Sequence, residues 1–291
     1  MARHHRVMAA SYHVFKAVKA IGRAFGGSGA NSLRVLTYHD IAPEEEAQFA
    51  AQLRWLARSW RFVSPGDFTA LVSGDEPVRG RNLLLTFDDG FASNRRVAEQ
   101  ILKPMGIRAL FFVVSDFASI EDRKEAYQFI ARYIYPGFRS EDLPAHWYNM
   151  SWVDLEALLD QGHTIGCHTR THAKLSRIDT EAGLEREIIY SADALALRLG
   201  TSIDHFAYTF GDIGSFSPKA LAVARRRFRF IYSGLRGGNT RAAWPLIIRR
   251  EAVSAHDSLS LLGAYVEGVA DFYYARANAQ LASWMLSNTG S

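Results

Sequence analysis

Two adjacent carboxylates that end an apolar run, Asp88 and Asp89 in Leu85-Thr86-Phe87-Asp88-Asp89-Gly90, are the strongest chemical signal in this chain. Neighbouring side chains at a strand end point in different directions, so one can hold a cation while the other handles a proton. Alone, the motif also suits an ordinary acidic turn, because Asp-Gly often closes a strand. The second signal is His168 and His172, in the run Gly162-His163-Thr164-Ile165-Gly166-Cys167-His168-Thr169-Arg170-Thr171-His172. Read as a helical turn, a spacing of four puts both imidazoles on one face. Two neutral imidazoles and a carboxylate make a three-ligand metal site that keeps a position open for water or substrate. The third signal is His39, in Leu36-Thr37-Tyr38-His39-Asp40. Its place at a strand end leaves a structural and a catalytic role equally open.

Such residues need a scaffold that brings distant strand ends together. From Leu33 onward, short apolar runs alternate with longer helical patterns, as in βα units. The expected strands are Arg34–Tyr38, Asn82–Phe87, Arg108–Val114, Thr164–Cys167, His205–Tyr208, Phe228–Tyr232 and Leu246–Ile248. The expected helices include Glu45–Ser59, Asn94–Lys103, Ser151–Gln161, Thr180–Leu199 and Ser258–Tyr265. Continuous runs such as Leu83-Leu84-Leu85 suit parallel strands covered on both faces. About seven repeats, with the chemical residues at strand C-termini, favour an α/β barrel over an open sheet. Residues 119–150 break the pattern with charges, aromatics, Pro136 and Pro144, and are read as an insertion near the barrel mouth.

Composition bounds the partners. Of 291 residues, 48% are hydrophobic and 22% charged, a balance that supports a sizeable core. A net charge of +4 is too small for the concentrated basic face of a nucleic-acid binder. With the single cysteine Cys167, no internal disulfide forms, which fits a reducing compartment. Lys16, Lys19 and Arg23 interrupt the apolar residues of the N-terminal segment, so it reads as no signal peptide, and a cytoplasmic location is expected. Residues 1–25 instead read as an amphipathic helix that either packs on the domain or makes peripheral membrane contact. The expected organisation is an appendage over 1–30, the barrel over 31–270, and a C-terminal helix or tail over 271–291.

Together the motifs resemble the polysaccharide deacetylase family, the NodB-homology or carbohydrate esterase 4 group. The likeness rests on Thr86-Phe87-Asp88-Asp89-Gly90, on Gly162-His163-x-Ile165-Gly166 with His168-x-x-x-His172, and on His205-Phe206-Ala207-Tyr208-Thr209-Phe210-Gly211. It implies a distorted (β/α)7 barrel that hydrolyses acetyl groups on an acetylated carbohydrate. It makes Asp88 the general base and Asp89, His168 and His172 the metal ligands, with zinc (Zn2+) the usual ion. No segment matches the family's late general-acid histidine: His256 follows the last strand in unrelated surroundings. Leu36-Thr37-Tyr38-His39 instead resembles the permuted branch, in which a first-strand histidine is the acid, which assigns that role to His39. Where relatives read Tyr-Pro-Tyr-Gly, this chain has Tyr208-Thr209-Phe210-Gly211. The backbone N–H at the aromatic position holds the oxyanion in the family, and a backbone donor survives the change to Phe210, with Tyr208 beside it. The arginine that braces the aspartate elsewhere is missing from this segment. Arg250, in Arg250-Glu251-Ala252-Val253, resembles the permuted branch's Arg-x-x-Val and is expected to compensate.

The resemblance therefore implies a metal-dependent hydrolase that removes N-acetyl, O-acetyl or formyl groups from a glycan or its precursor. A silent carbohydrate-binding module on the same fold is the alternative, supported by the altered third motif. A glycosidase with paired carboxylates would explain Asp88 and Asp89 but not two histidines at metal spacing. Cys167 is read as buried filler, His163 as shaping a strand entry, and Arg225, Arg226, Arg227 and Arg229 as a solvated helix end. Trp147, Tyr148 and Trp152 suit sugar stacking or lid packing equally.

Overall fold

A computed structural model of the chain describes residues 31–239 and 247–287. The amphipathic segment expected over residues 1–25 lies outside them. Parallel strands form one curled sheet with the order β8-β7-β6-β5-β4-β3-β1-β9. They are β1 (Ser32–Tyr38), β2 (Arg61–Phe62), β3 (Arg81–Phe87), β4 (Leu110–Val113), β5 (Thr164–Cys167), β6 (His205–Ala207), β7 (Phe230–Tyr232), β8 (Ile247–Ile248) and β9 (Glu251–Ala252). β1 flanks the whole of β3 on one side. On the other, β2 pairs with its start and β4 with its end.

The sheet turns into a distorted barrel through one short stretch of chain. β8 pairs with β7, and β9, two residues later, pairs with β1. The single run Ile247–Ala252 thus stands between the last and first strands, with Arg249 and Arg250 at the crossing. Glu251 anchors this seam, accepting hydrogen bonds from Arg34 (2.8 Å) and Arg236 (2.9 Å) while fully buried. A buried carboxylate is tolerated only with such partners. The strand expected at Leu246–Ile248 is met by β8, with Leu246 outside the described residues, whereas β9 is not among the expected strands. Two-residue strands such as β2 and β9 give too little alternation to be seen in a sequence.

The helices are α1 (Glu46–Ala57), α2 (Pro65–Ser73), α3 (Ala92–Val97), α4 (Ser115–Ala118), α5 (Arg123–Phe129), α6 (Trp152–Asp160), α7 (Glu181–Leu199), α8 (Pro218–Arg225), α9 (Leu259–Val266) and α10 (Ala275–Ser287). Local signals set their ends. Ser151 accepts from the Asp154 N–H while Asp154 accepts from the Ser151 N–H, a reciprocal cap for α6. Thr180 caps the start of α7, and Gly200 ends it at φ 62°. α2 and α8 were not expected: both are short and open with Ser-Pro, which also reads as a turn.

Strand alternation sorts the core into two layers. Leu33 and Val35 of β1, Leu84 of β3, Leu110 and Phe112 of β4, Ala207 of β6, Tyr232 of β7 and Ile248 of β8 pack together inside the barrel. Leu36, Leu83, Leu85, Phe87 and Phe111 face outward, under the helices. Residues 119–150 pack over the barrel mouth, where Ala126, Ile130, Ile134 and Leu143 form a cluster with Phe91 and Phe117. α10 docks Leu281 and Met285 into the main core. Among the described residues no helix is long and apolar enough to cross a membrane.

Candidate metal centre and active site

The inward columns change character toward the strand C-termini. Continuing the period of two, Leu33, Val35 and Thr37 lead to His39, and Leu84 and Thr86 lead to Asp88. Likewise Gly166 leads to His168 and Ile248 to Arg250. Thr37 and Thr86 sit side by side with hydroxyls 2.6 Å apart, the transition from apolar floor to polar mouth. Gly166 must be glycine, because a Cβ there would lie 2.6 Å from the Phe112 ring. Above this layer is a cleft of about 130 Å³, lined by Thr37, His39, Asp88, Asp89, Tyr135, His168, His172, Phe210 and Arg250 among others. The structure thus brings every sequence-expected site residue to one cleft except Tyr208.

Asp89, His168 and His172 converge, with their ligand atoms all within 4.8 Å of one another. The Nε2 atoms of His172 and His168 lie 3.3 and 3.5 Å from Asp89 Oδ1. Each Nδ1 faces a backbone carbonyl, Ala207 O at 2.7 Å for His168 and Tyr133 O at 2.9 Å for His172. A carbonyl only accepts, so each Nδ1 must carry a proton, and both Nε2 atoms are left aimed inward, able to bind a cation from the neutral rings. Asp89 Oδ1 is buried without a hydrogen-bond partner among the described residues. A buried anionic oxygen facing two imidazole nitrogens is costly unless positive charge joins them. The residues present therefore fit a divalent metal, and the two-nitrogen, one-oxygen set suits zinc.

The convergence does not come from a helical turn, as the spacing suggested. Residues 168–174 form no helix. Instead Asp89, Thr169 and His172 adopt left-handed backbone, at φ 72°, 67° and 61°. Non-glycine residues rarely sit there, and such strain clusters at functional sites. Asp89 leaves the strand alternation this way, so that both carboxylates of the pair enter the cleft.

Asp88 is gripped by Arg250, whose two terminal nitrogens donate to its two oxygens at 2.7 and 2.9 Å. The guanidinium is itself fixed by Nε donating to Ser233 O at 2.9 Å. Burial alone would raise the Asp88 carboxyl, but Arg250, with His168 and His39 nearby, outweighs it and holds the group below the usual carboxylate range. His168 Nε2 lies 4.0 Å from Asp88 Oδ2, so this carboxylate borders the Asp89, His168 and His172 cluster. His39 lines the same cleft, and its backbone carbonyl is pinned by the Asn94 amide at 2.7 Å.

Phe210 sits at the rim with φ 63°, its ring 4.8 Å from that of His172. Its N–H has no hydrogen-bond acceptor among the described residues. The following Gly211, at φ 72°, packs so closely on Gly234 that a Cβ would lie 2.7 Å from its Cα. Tyr208 stands apart from the cleft: it is buried, stacks on Phe216 at 4.3 Å, and donates its hydroxyl to Gly211 O at 3.1 Å. It holds the turn that presents Phe210 and offers substrate no group.

Sequence reasoning missed the part played by residues 119–150. They supply the Tyr133 carbonyl that orients His172, and Tyr135, which lines the cleft. They are tied to the strand ends by Asp40, which takes bonds from His146 and Trp147 at 2.8 Å each, and by the Phe91–Asn149 bridge. A backbone carbonyl leaves no mark in a sequence, and an aromatic-rich stretch reads equally as packing.

The other histidines and basic residues lie elsewhere. His163, at the opposite strand end, accepts from the Ala109 N–H at 3.0 Å and is pushed down to about 4 by burial and by Arg108 and Arg95. Cys167 is buried against Ser191, its thiol pushed up to about 12 by burial. Arg226 pairs with Glu181 and Glu185, and Arg227 with Asp193. His256 is exposed and pairs with Glu45.

Comparison with known proteins agrees with this architecture. A family model described as polysaccharide deacetylase matches residues 75–226. YxkH of Bacillus subtilis (strain 168), a protein named for polysaccharide deacetylation, is 22% identical over 248 residues, which span 81% of this chain and 77% of that one. The structure of IcaB from Ammonifex degensii superposes with a TM-score of 0.64 at 24% identity, covering 81% of this chain and 97% of that chain. The Streptococcus pyogenes deacetylase PplD in complex with acetate also gives 0.64, at 20% identity, covering 81% and 99%. These likenesses of structure show a shared fold.

Proposed function

We propose, since the chain belongs to the polysaccharide deacetylase family, that it hydrolyses N-acetyl groups on a glycan or glycan precursor with the aid of a divalent cation, zinc. Asp89, His168 and His172 would hold the ion. The observation that carries this reading is the buried Asp89 Oδ1, unpartnered among the described residues, facing two imidazole nitrogens whose rings are oriented from behind by backbone carbonyls.

An amide resists hydrolysis because its carbonyl is a poor electrophile and its amine a poor leaving group. When bound, the cation would supply Lewis acidity, polarising the carbonyl and acidifying water. The rest falls to this chain's own groups. Asp88, kept ionised and aimed by Arg250, takes the proton from the attacking water. The free Phe210 N–H supports the negative charge that develops on the acyl oxygen, in a geometry set before reaction. His39, on the neighbouring strand end, protonates the departing amine. Proton transfers of this kind contribute about 10²–10⁴-fold each.

O-acetyl and formyl groups present the same carbonyl to these residues, so a substrate panel decides among them. Acetate or formate release from acylated sugars should be measured with and without a chelator. Release that the chelator stops and added zinc restores is expected. Release that is indifferent to the chelator would reject the metal, and sugar binding without release would favour a silent binding module.

A further inference from the structure

Tyr135 belongs to the segment over the barrel mouth, yet its side chain lines the same cleft as Asp88, Asp89 and His168. Its ring is clamped on three sides. It stacks on Trp147 (centroids 4.8 Å apart, planes at 25°) and on Phe91 (6.3 Å, 20°), and meets Phe138 edge-on at 6.1 Å. Trp147 is in turn held by Asp40 through its ring N–H at 2.8 Å. A ring packed in this way cannot swing aside, so its hydroxyl has a fixed address.

That hydroxyl makes no hydrogen bond among the described residues, and it is not fully buried, in a residue that lines the cleft. Burial raises the phenol, and the charges of Asp89, Asp40 and Asp88 raise it further, so it remains a neutral donor. A preorganised donor with no partner beside a cluster of metal-ligand type is suited to an oxygen that the substrate brings.

We propose that Tyr135 is a further substrate-contacting residue, its hydroxyl donating a hydrogen bond to the acyl oxygen as negative charge develops there. The proposal rests on the deacylation reading above and adds a donor, from a different element, to the Phe210 N–H. It also makes residues 119–150 a working wall of the site.

Tyr135→Phe deletes the hydroxyl and leaves the aromatic clamp. Wild type and variant, both zinc-loaded, should be compared in three readouts: bound zinc by elemental analysis, acetate affinity by calorimetry, and kcat and KM for acetate release. Zinc content should be unchanged, acetate binding several-fold weaker, and kcat lower by about 10- to 100-fold with KM nearly constant, the pattern of a contact made in the transition state. Wild-type kcat and equal acetate affinity in the variant would overturn the proposal. A raised KM with kcat preserved would also overturn it, because the hydroxyl would then serve the ground state. If wild type releases no acetate from any substrate, the deacylation reading fails on its own, and the acetate titration still decides whether Tyr135 contacts a carboxyl oxygen.

Discussion

Arg250→Met isolates the contact on which the proposed base depends. In the wild type, Arg250 makes two charge-assisted hydrogen bonds of 2.7 and 2.9 Å to Asp88, and the two side chains are only 2% and 5% exposed. Methionine fills much of the same volume without charge. Removing one partner of a buried ion pair leaves the other uncompensated, at a cost of roughly 3–5 kcal/mol. The cost should depend on pH, with a definite sign. In the wild type the Asp88 carboxyl is held below its unfolded value, so its stabilisation is present above about pH 4 and lost as pH falls through the lowered value. In the variant, burial acts without Arg250 and lifts the carboxyl above its unfolded value. Folding then requires proton uptake, and stability declines as pH rises toward the lifted value. The deficit relative to wild type should be larger at pH 8 than at pH 5. Urea unfolding of chelator-treated protein at both pH values measures it. The double variant Asp88→Asn/Arg250→Met removes both charges and should recover most of the loss. A deficit below about 1 kcal/mol, independent of pH, would refute the reasoning, as would a double variant no more stable than the single one.

Three further outcomes concern the chemistry. Asp88→Asn should retain zinc and lose acetate release by at least about 10²-fold, as for removal of a general base. Wild-type rates in that variant would reject the assignment. His168→Ala should lose stoichiometric zinc in elemental analysis, since it deletes one of three proposed ligands whose donor atoms lie within 4.8 Å of one another. Retained zinc would reject the ligand set. His39→Gln should slow N-acetyl hydrolysis by about 10²–10⁴-fold but spare an acetate ester of nitrophenol, whose leaving group needs no proton. Equal losses on the two substrates would show that His39 does not act as the acid.

Much of the site was legible because its parts carry side-chain signatures. Asp88-Asp89-Gly90 at the end of an apolar strand announces both a turn and a pair of carboxylates, and His168 with His172 announces ligands. The reason they converge was not legible. The spacing suggested a helix, whereas left-handed backbone at Thr169 and His172 does the work, and a β-branched Thr169 is a residue type least expected at positive φ. The barrel was readable from strands such as Arg81–Phe87, whose seven residues show a clear apolar run. Its closure was not, because β9 has only two residues and its place is fixed by Glu251 with Arg34 and Arg236, partners distant in sequence. Tyr208 illustrates the limit of motif reading. It sits in the expected segment, yet the stack on Phe216 turns it into the core. The Tyr133 carbonyl was invisible for the opposite reason, being backbone in a stretch without periodicity.

Everything in the proposed chemistry depends on one cation shared by two strand ends. Diffraction from zinc-soaked crystals, with anomalous data collected at the zinc absorption edge, tests that most directly. One strong anomalous peak is expected, bonded to an Asp89 oxygen and to Nε2 of His168 and His172 at about 2.0–2.2 Å, with Asp88 still paired to Arg250 beside it. A peak bonded to other residues, or a fully soaked crystal with no peak in this cleft, would contradict it.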